Sequence, residues 1–200
     1  MIKAIIFDWF GVCTTENWAD CLARELSAKL KIDDGVIRSE FKKVLQPFAA
    51  AELTDREFLQ KFLATLDPNG QVDDYLYLFN TIPQVNWSVL QLAGELKKKY
   101  KVYLLSNNFG PVFPNYQIKV NFREYFNELF LSHQLKVSKT NPKVWDLVLA
   151  KIPFLPAEIL FIDNKQKYLA LATERGLSTI LFKDAQQLRE AINSLSLITP

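Results

Sequence analysis

Four points along this 200-residue chain carry side chains that could share one reaction. Asp8 closes the apolar run Ala4-Ile5-Ile6-Phe7 and precedes Trp9-Phe10-Gly11, where the glycine permits a tight turn. A carboxylate held there can attack phosphorus or carbon and form a covalent intermediate, provided that neighbouring groups bind the charge of the anion. Ser106 and Asn107 follow Val102-Tyr103-Leu104-Leu105 and offer hydroxyl, amide and backbone N–H donors to such an anion. Lys139 lies in a loop before a helical stretch that starts near Asn141, and could pair with both the attacking carboxylate and the transferred group. Asp163 follows Ile159-Leu160-Phe161-Ile162 and could join Asp8 around a hard divalent cation, since Mg²⁺ takes a few carboxylate or carbonyl oxygens together with water and substrate oxygens.

These residues need elements that bring them to one place. The three apolar runs before Asp8, Ser106 and Asp163, with a fourth at Thr179-Ile180-Leu181-Phe182, are rich in β-branched and aromatic residues without polar alternation, the pattern of strands covered on both faces. Helical stretches between them, such as Trp87 to Tyr100 and Asn141 to Lys151, imply crossover units and a doubly wound, Rossmann-like parallel sheet of the α/β class. Ligands of such sheets bind outside the carboxyl ends of the strands, where Asp8, Ser106 and Asp163 would emerge. From Glu16 to Val85 the alternation stops. Trp18, Leu22, Leu26 and Leu30 recur at helical spacing, Thr54 has the place of an N-cap, and Pro68-Asn69-Gly70 is a breaker. The expected organisation is a core of residues 1–15 and 86–200 with a helical cap of residues 16–85 inserted after the first strand.

Composition narrows the partners. With 24 basic and 22 acidic residues the net charge is +2, so no general field draws the chain to nucleic acid or anionic lipid, and an anionic ligand must be held by a local site. Neither a membrane segment nor a nucleic-acid surface is expected, and a cytoplasmic location follows by default because the N-terminus meets charge after a few apolar residues. Two cysteines, Cys13 and Cys21, are too few for a disulfide framework and lack metal-site spacing with the single histidine, His133. Cys13 has no base beside it and reads as a packed thiol. His133, just beyond the apolar run Leu129-Phe130-Leu131, has a useful titration range but no positional support as a catalyst. Lys97-Lys98-Lys99 suits a solvated helix end.

The order of these segments resembles the haloacid dehalogenase-like hydrolases. Ile5-Ile6-Phe7-Asp8-Trp9-Phe10-Gly11-Val12 is similar to that family's first motif, Leu104-Leu105-Ser106-Asn107 to its second, Val137-Ser138-Lys139-Thr140-Asn141-Pro142 to its lysine motif, and Leu160-Phe161-Ile162-Asp163-Asn164 with Ala170-Leu171-Ala172 and Gly176 to its fourth. The resemblance implies a nucleophile at Asp8, phosphoryl binding by Ser106 with help from Asn107, charge neutralisation by Lys139, and a Mg²⁺ site of Asp8, the Phe10 carbonyl and Asp163. It implies a phosphatase that passes through an aspartyl-phosphate and acts on a small phosphorylated metabolite, as monomer or homodimer.

Two departures bear on activity. Phosphatases of the family usually carry an aspartate two residues after the nucleophile, which protonates the leaving group and then activates water; Phe10 cannot exchange a proton, and assistance of that kind is commonly worth ~10²–10⁴ in rate. Asn164 replaces a frequent second aspartate. A non-catalytic or weakly active binding protein is therefore one alternative, and Phe10 could serve either as filling beneath the cap or as an apolar substrate contact. A metal-independent 2-haloacid dehalogenase is another; Asp163 argues against it, because that branch usually has serine there. Phosphonoacetaldehyde hydrolase shares a D-W-x-G start but needs a cap lysine, for which Lys29, Lys31, Lys42, Lys43 and Lys61 are candidates by location only. The fragments Glu52-Leu53-Thr54-Asp55-Arg56-Glu57-Phe58 and Leu181-Phe182-Lys183-Asp184-Ala185-Gln186-Gln187-Leu188 most resemble sugar-phosphate phosphatases with short helical caps. Phe48, Leu53, Phe58 and Phe62 could pack within the cap or form a dimer contact.

Overall fold

A computed structural model describes residues 1–198 of the chain. Five strands, β1 (Ala4–Phe7), β2 (Lys101–Ser106), β3 (Glu128–Leu131), β4 (Ile159–Asp163) and β5 (Ser178–Leu181), pair in parallel in the order β3-β2-β1-β4-β5. The first strand in the chain is thus the central one, and the strand order reverses beside it. Phe7 is level with Leu104 of β2 and Ile162 of β4, so Asp8 and Asp163 come off adjacent strand ends side by side. The Asp8 N–H donates to Ile162 O at 2.9 Å and extends the pairing to the first residue of the turn.

Alternation along the strands divides the core into two layers. Ile5, Phe7, Val102, Leu104, Leu160 and Ile162 belong to one apolar cluster, and Ala4, Ile6, Tyr103, Leu105, Ile159 and Phe161 to the other. Both faces are covered, which is why the runs are apolar without interruption. Among the described residues there are ten α-helices, in chain order α1 (Trp18–Leu30), α2 (Asp34–Ala49), α3 (Asp55–Leu63), α4 (Trp87–Lys97), α5 (Phe113–Gln117), α6 (Phe122–Tyr125), α7 (Ser132–Leu135), α8 (Lys143–Leu149), α9 (Gln166–Glu174) and α10 (Ala185–Ser194). Apolar residues of α4 and α10 pack in the first layer, and those of α8 and α9 in the second. The fold is the doubly wound, Rossmann-like α/β class that the sequence implies. The fifth strand, β3, is the edge that the four apolar runs did not include.

Between β1 and α4 the chain is helical, as its spacing predicts: α1, α2, α3 and a 3-10 segment, Val72–Asn80, with an isolated bridge between Thr14 and Val85 tying its two ends. Thr54 caps α3 in a full capping box with Glu57, and Asn17 and Asp20 do the same for α1. Phe48, Phe58 and Phe62 are buried within this segment, while Leu53 is half-buried. Trp18 is at the centre of the aromatic packing, with Phe41, Phe48, Phe58 and Phe79 around it. Among the described residues no helix is long and apolar enough to cross a membrane.

A π-helical turn, Trp9–Cys13, links β1 to this segment. Gly11 there has φ +78°, and a Cβ on it would stand 2.2 Å from Asn164 Nδ2. Gly11→Ala is expected to cost ~1–2 kcal/mol for the left-handed backbone alone, plus the displacement of Asn164. A urea titration checks this; an unchanged midpoint would mean that the turn tolerates a side chain.

Candidate active site

The carboxyl ends of β1, β2 and β4 form the floor of a cavity of ≈ 560 Å³ roofed by α1 and α2. Asp8, Phe10, Asn107, Lys139 and Asn164 line it from below, and Trp18, Asp20, Arg38, Phe41, Lys42 and Gln46 from above. Asp163 and Ser106 lie just behind this lining, both fully buried.

Lys139 joins the floor. Its Nζ is 2.7 Å from Asp8 Oδ1 and 2.6 Å from Asp163 Oδ2, and all three side chains are almost wholly withdrawn from solvent. Burial pushes the Asp8 carboxyl up, Asp163 adds to the rise, and Lys139 only partly offsets both, leaving its pKa at about 7. Burial opposes the Lys139 charge, yet Asp163 and Asp8 outweigh it and hold the ammonium above the ordinary lysine range. The other oxygen of Asp163 accepts from the Lys165 N–H at 2.8 Å, at the start of α9.

Lys139 is in the loop between α7 and α8, which begins at Lys143 rather than at Asn141. Two bonds place that loop. The Lys139 N–H donates to Asn107 Oδ1 at 2.7 Å, and Thr140 Oγ1 donates to Gln46 Oε1 of α2 at 2.8 Å. Asn107 uses its other end on Tyr168, its Nδ2 lying 3.3 Å from the hydroxyl. The Asn107 side chain is therefore committed to positioning, a role that its expected help with an anion did not include. No helix starts at Ser106-Asn107; the next is α5 at Phe113. Ser106 Oγ is buried and has no partner.

The donor set fits a small divalent cation. Two buried carboxylates surround one ammonium, so one negative charge is uncompensated when both are ionised. Asn164 Oδ1 is a further buried oxygen without a partner. Among the described residues no three His, Cys, Asp or Glu side chains cluster, so Asp8 and Asp163 would need the Phe10 carbonyl, water and substrate oxygens to complete a shell.

Phe10 is buried, with its ring 6.1 Å from those of Phe109 and Tyr116, and it forms an apolar wall of the cavity. Trp9 packs on Tyr116 and Phe122 in the core. Cys13 is a packed thiol, its pKa raised by burial and by Asp8. His133 does not line the cavity; its Nδ1 is 3.2 Å from Asn108 O, and burial lowers its pKa. Of the five lysines that the helical segment offered, Lys42 alone lines the cavity. Tyr168 was not singled out from the sequence. It is the third residue of α9 and lies in the cavity wall, its ring centroid 4.6 Å from Lys139 Nζ. The signal was a large polar-tipped aromatic one turn beyond Asp163, in a helix otherwise packed through Leu169 and Ala172.

Comparison with known proteins agrees with this architecture. A curated D-ribitol-5-phosphate phosphatase from Bacteroides thetaiotaomicron is 26% identical over 204 residues, spanning 90% of this chain and 91% of that one. Bifunctional epoxide hydrolase 2 of Sus scrofa is 25% identical over 92% of this chain, but over only 37% of its own length. Among solved structures, a HAD family enzyme of B. thetaiotaomicron in complex with magnesium and inorganic phosphate superposes with TM-score 0.73 at 21% identity, covering 94% of this chain and 99% of that one. An L-2-haloacid dehalogenase from Xanthobacter autotrophicus, with chloropropionic acid covalently bound, gives 0.67 at 18% identity, covering 100% and 85%. The model of the haloacid dehalogenase-like hydrolases matches residues 2–166, and the chain belongs to that family.

Proposed function

We propose that the protein is a Mg²⁺-dependent phosphatase of a small phosphorylated metabolite, with Asp8 as nucleophile. The observation that carries this reading is the buried arrangement of Asp8, Lys139 and Asp163 beneath a cavity of ≈ 560 Å³. A second carboxylate held beside the nucleophile favours metal-assisted phosphoryl chemistry over halide displacement. The Bacteroides relative is named for a five-carbon polyol phosphate, and a substrate of that size suits the cavity.

In this reading residues 1–15 and 86–200 are the catalytic core, of which the last two residues lie outside those described, and residues 16–85 are a cap whose α1 and α2 close over the substrate. Asp8, the Phe10 carbonyl and Asp163 would hold Mg²⁺, which supplies charge stabilisation at the phosphoryl oxygens. The Ser106 hydroxyl, buried and without a partner, takes one phosphoryl oxygen. Lys139 lowers the cost of ionising Asp8 and faces the charge that builds on the transferred group. The Asp8 carboxylate attacks phosphorus, the bond to the alcohol breaks, and water then cleaves the aspartyl-phosphate. Because a loose transition state needs little covalent help, the residues act by position and charge.

Phosphate release from a panel of small phosphate esters, with Mg²⁺ or with EDTA, tests this. Turnover is expected only with metal, and Asp8→Asn should lower it by ~10³-fold or more. Well-folded protein that binds Mg²⁺ and BeF₃⁻ but turns over no ester would identify a binding protein instead. Halide release from 2-haloacids without metal, unaffected by Asp163→Ala, would identify a dehalogenase.

The raised Asp8 pKa also makes stability depend on pH. The folded protein holds the Asp8 proton up to about pH 7, whereas an unfolded carboxylate loses it near 3.8. Stability of the metal-free protein should therefore fall as pH rises through that window. Asp8→Asn removes the buried charge, and in EDTA at pH 8 it is expected to melt several degrees higher, the size of a ~1–2 kcal/mol change in a chain this long. Equal melting midpoints at pH 8 would show that Asp8 ionises without cost.

A further inference from the structure

Phe10 leaves the phosphatase reading without a proton donor for the departing alcohol, and the cavity wall holds few groups able to replace it. Lys139 is committed to Asp8 and Asp163. Asp20 is ion-paired with Arg38 and receives hydrogen bonds from the Asn17 backbone and side chain, and these bonds hold its carboxyl below the ordinary range despite burial, so it carries no proton at neutral pH. Lys42, Lys165 and Lys167 are exposed.

Tyr168 differs from these. It is buried, it lines the cavity, and its ring is against the Lys139 ammonium. The hydrogen-bond network fixes which way its proton faces. Asn107 Oδ1 is taken by the Lys139 N–H, so the amide end that reaches Tyr168 at 3.3 Å is Nδ2, a donor. The Tyr168 oxygen must accept there, and its own proton points elsewhere. Gln46, whose Oε1 is taken by Thr140, also faces the Tyr168 oxygen as a donor. Among the described residues no acceptor lies within hydrogen-bond distance of the Tyr168 proton, and the cavity is the direction left to it. We propose that the Tyr168 hydroxyl is the acid that protonates the leaving alcohol and, as phenolate, the base for the water that follows. The proposal rests on the phosphatase reading.

The steps balance. As the Asp8 oxygen bonds to phosphorus and the ester P–O bond breaks, the Tyr168 proton passes to the departing oxygen, and the phenolate is left beside Lys139. Water then attacks the aspartyl-phosphate and gives its proton to the phenolate, and the P–O bond to Asp8 breaks to release phosphate and restore the carboxylate. Burial, the largest influence on Tyr168, raises its pKa above the ordinary value, so the acid form is the resting one. The Lys139 charge lowers the cost of the transient phenolate.

Tyr168→Phe keeps the ring against Lys139 and removes only the hydroxyl. An alkyl phosphate needs a proton on its leaving oxygen, whereas p-nitrophenyl phosphate releases a stable phenolate without one. kcat/KM reports phosphoryl transfer to Asp8, so the variant is expected to lose ~10²-fold or more on the alkyl ester and at most a few-fold on the aryl ester. Since the second step also loses its base, the aryl ester should give a burst of about one equivalent of nitrophenol followed by slow turnover. Equal losses in kcat/KM on both esters would mean a structural role and overturn the proposal, as would no loss on either. A wild-type enzyme that hydrolyses neither ester would instead sink the phosphatase reading, and the role of Tyr168 with it.

Discussion

The Lys139 ammonium between Asp8 and Asp163 is the constraint to which the surrounding structure answers. Three ionisable groups sit out of water at the end of a parallel sheet, and an isolated charge in such a place is costly unless it is paired and hydrogen-bonded. Removing Lys139 would strand both carboxylates, and loss of the partner of a buried charge commonly costs ~3–5 kcal/mol. Every segment around them supplies part of the compensation. The register of β1 and β4 brings the two carboxylates level, the start of α9 gives an N–H to Asp163, and Asn107 fixes the loop that carries the lysine. Even so, three groups carry one more negative charge than positive when all are ionised. Burial first, and Asp163 after it, raise the Asp8 pKa, and the residual negative charge is also what gives the site its capacity for a divalent cation.

A second kind of interaction holds the roof. Phe109, on the loop after β2, packs at 4.6 Å against Trp18 and stacks at 5.1 Å on Phe48. An aromatic from the floor is thereby inserted among the aromatics of the helical segment. This contact is non-directional and large in area, and it places α1 and α2 over the strand ends without hydrogen bonds of its own. Polar links are few; one is Thr140 with Gln46, beside the lysine loop. Chemistry on the floor and closure of the roof thus depend on neighbouring residues of the same loops.

Much of this was legible because burial leaves a plain mark in sequence. Strands covered on both faces are continuous apolar runs, and a charged or polar residue at the end of such a run can only emerge at the sheet's edge, which located Asp8, Ser106 and Asp163. The strand β3 bore a weaker mark: at the edge it is half-open to solvent, and after Glu128 its apolar run is only Leu129-Phe130-Leu131. Within the helical segment periodicity identified the buried faces but not which way the other faces turn. Asp20, Arg38, Lys42 and Gln46 were consequently invisible as cavity residues, and one lysine among five could not be chosen. Asn107 shows a subtler limit. Its type and place suited anion binding, but an amide has two ends, and only the fold reveals that Lys139 and Tyr168 occupy both.

The position of Phe10 has a consistent physical reason. Its ring lies between Phe109 and Tyr116, in the aromatic layer that joins floor to roof. Phenylalanine there packs on Phe109 and Tyr116 and presents carbon to the cavity, and a carboxyl group would forgo that packing. Lys139, Asn107 and Tyr168 are different: they form a connected polar set with fixed donor and acceptor directions. Proton exchange requires a group that can change its charge state beside partners that tolerate both forms. At residue 10 phenylalanine offers ring packing towards the roof and no exchangeable proton, while the α9 side of the cavity offers the Tyr168 hydroxyl.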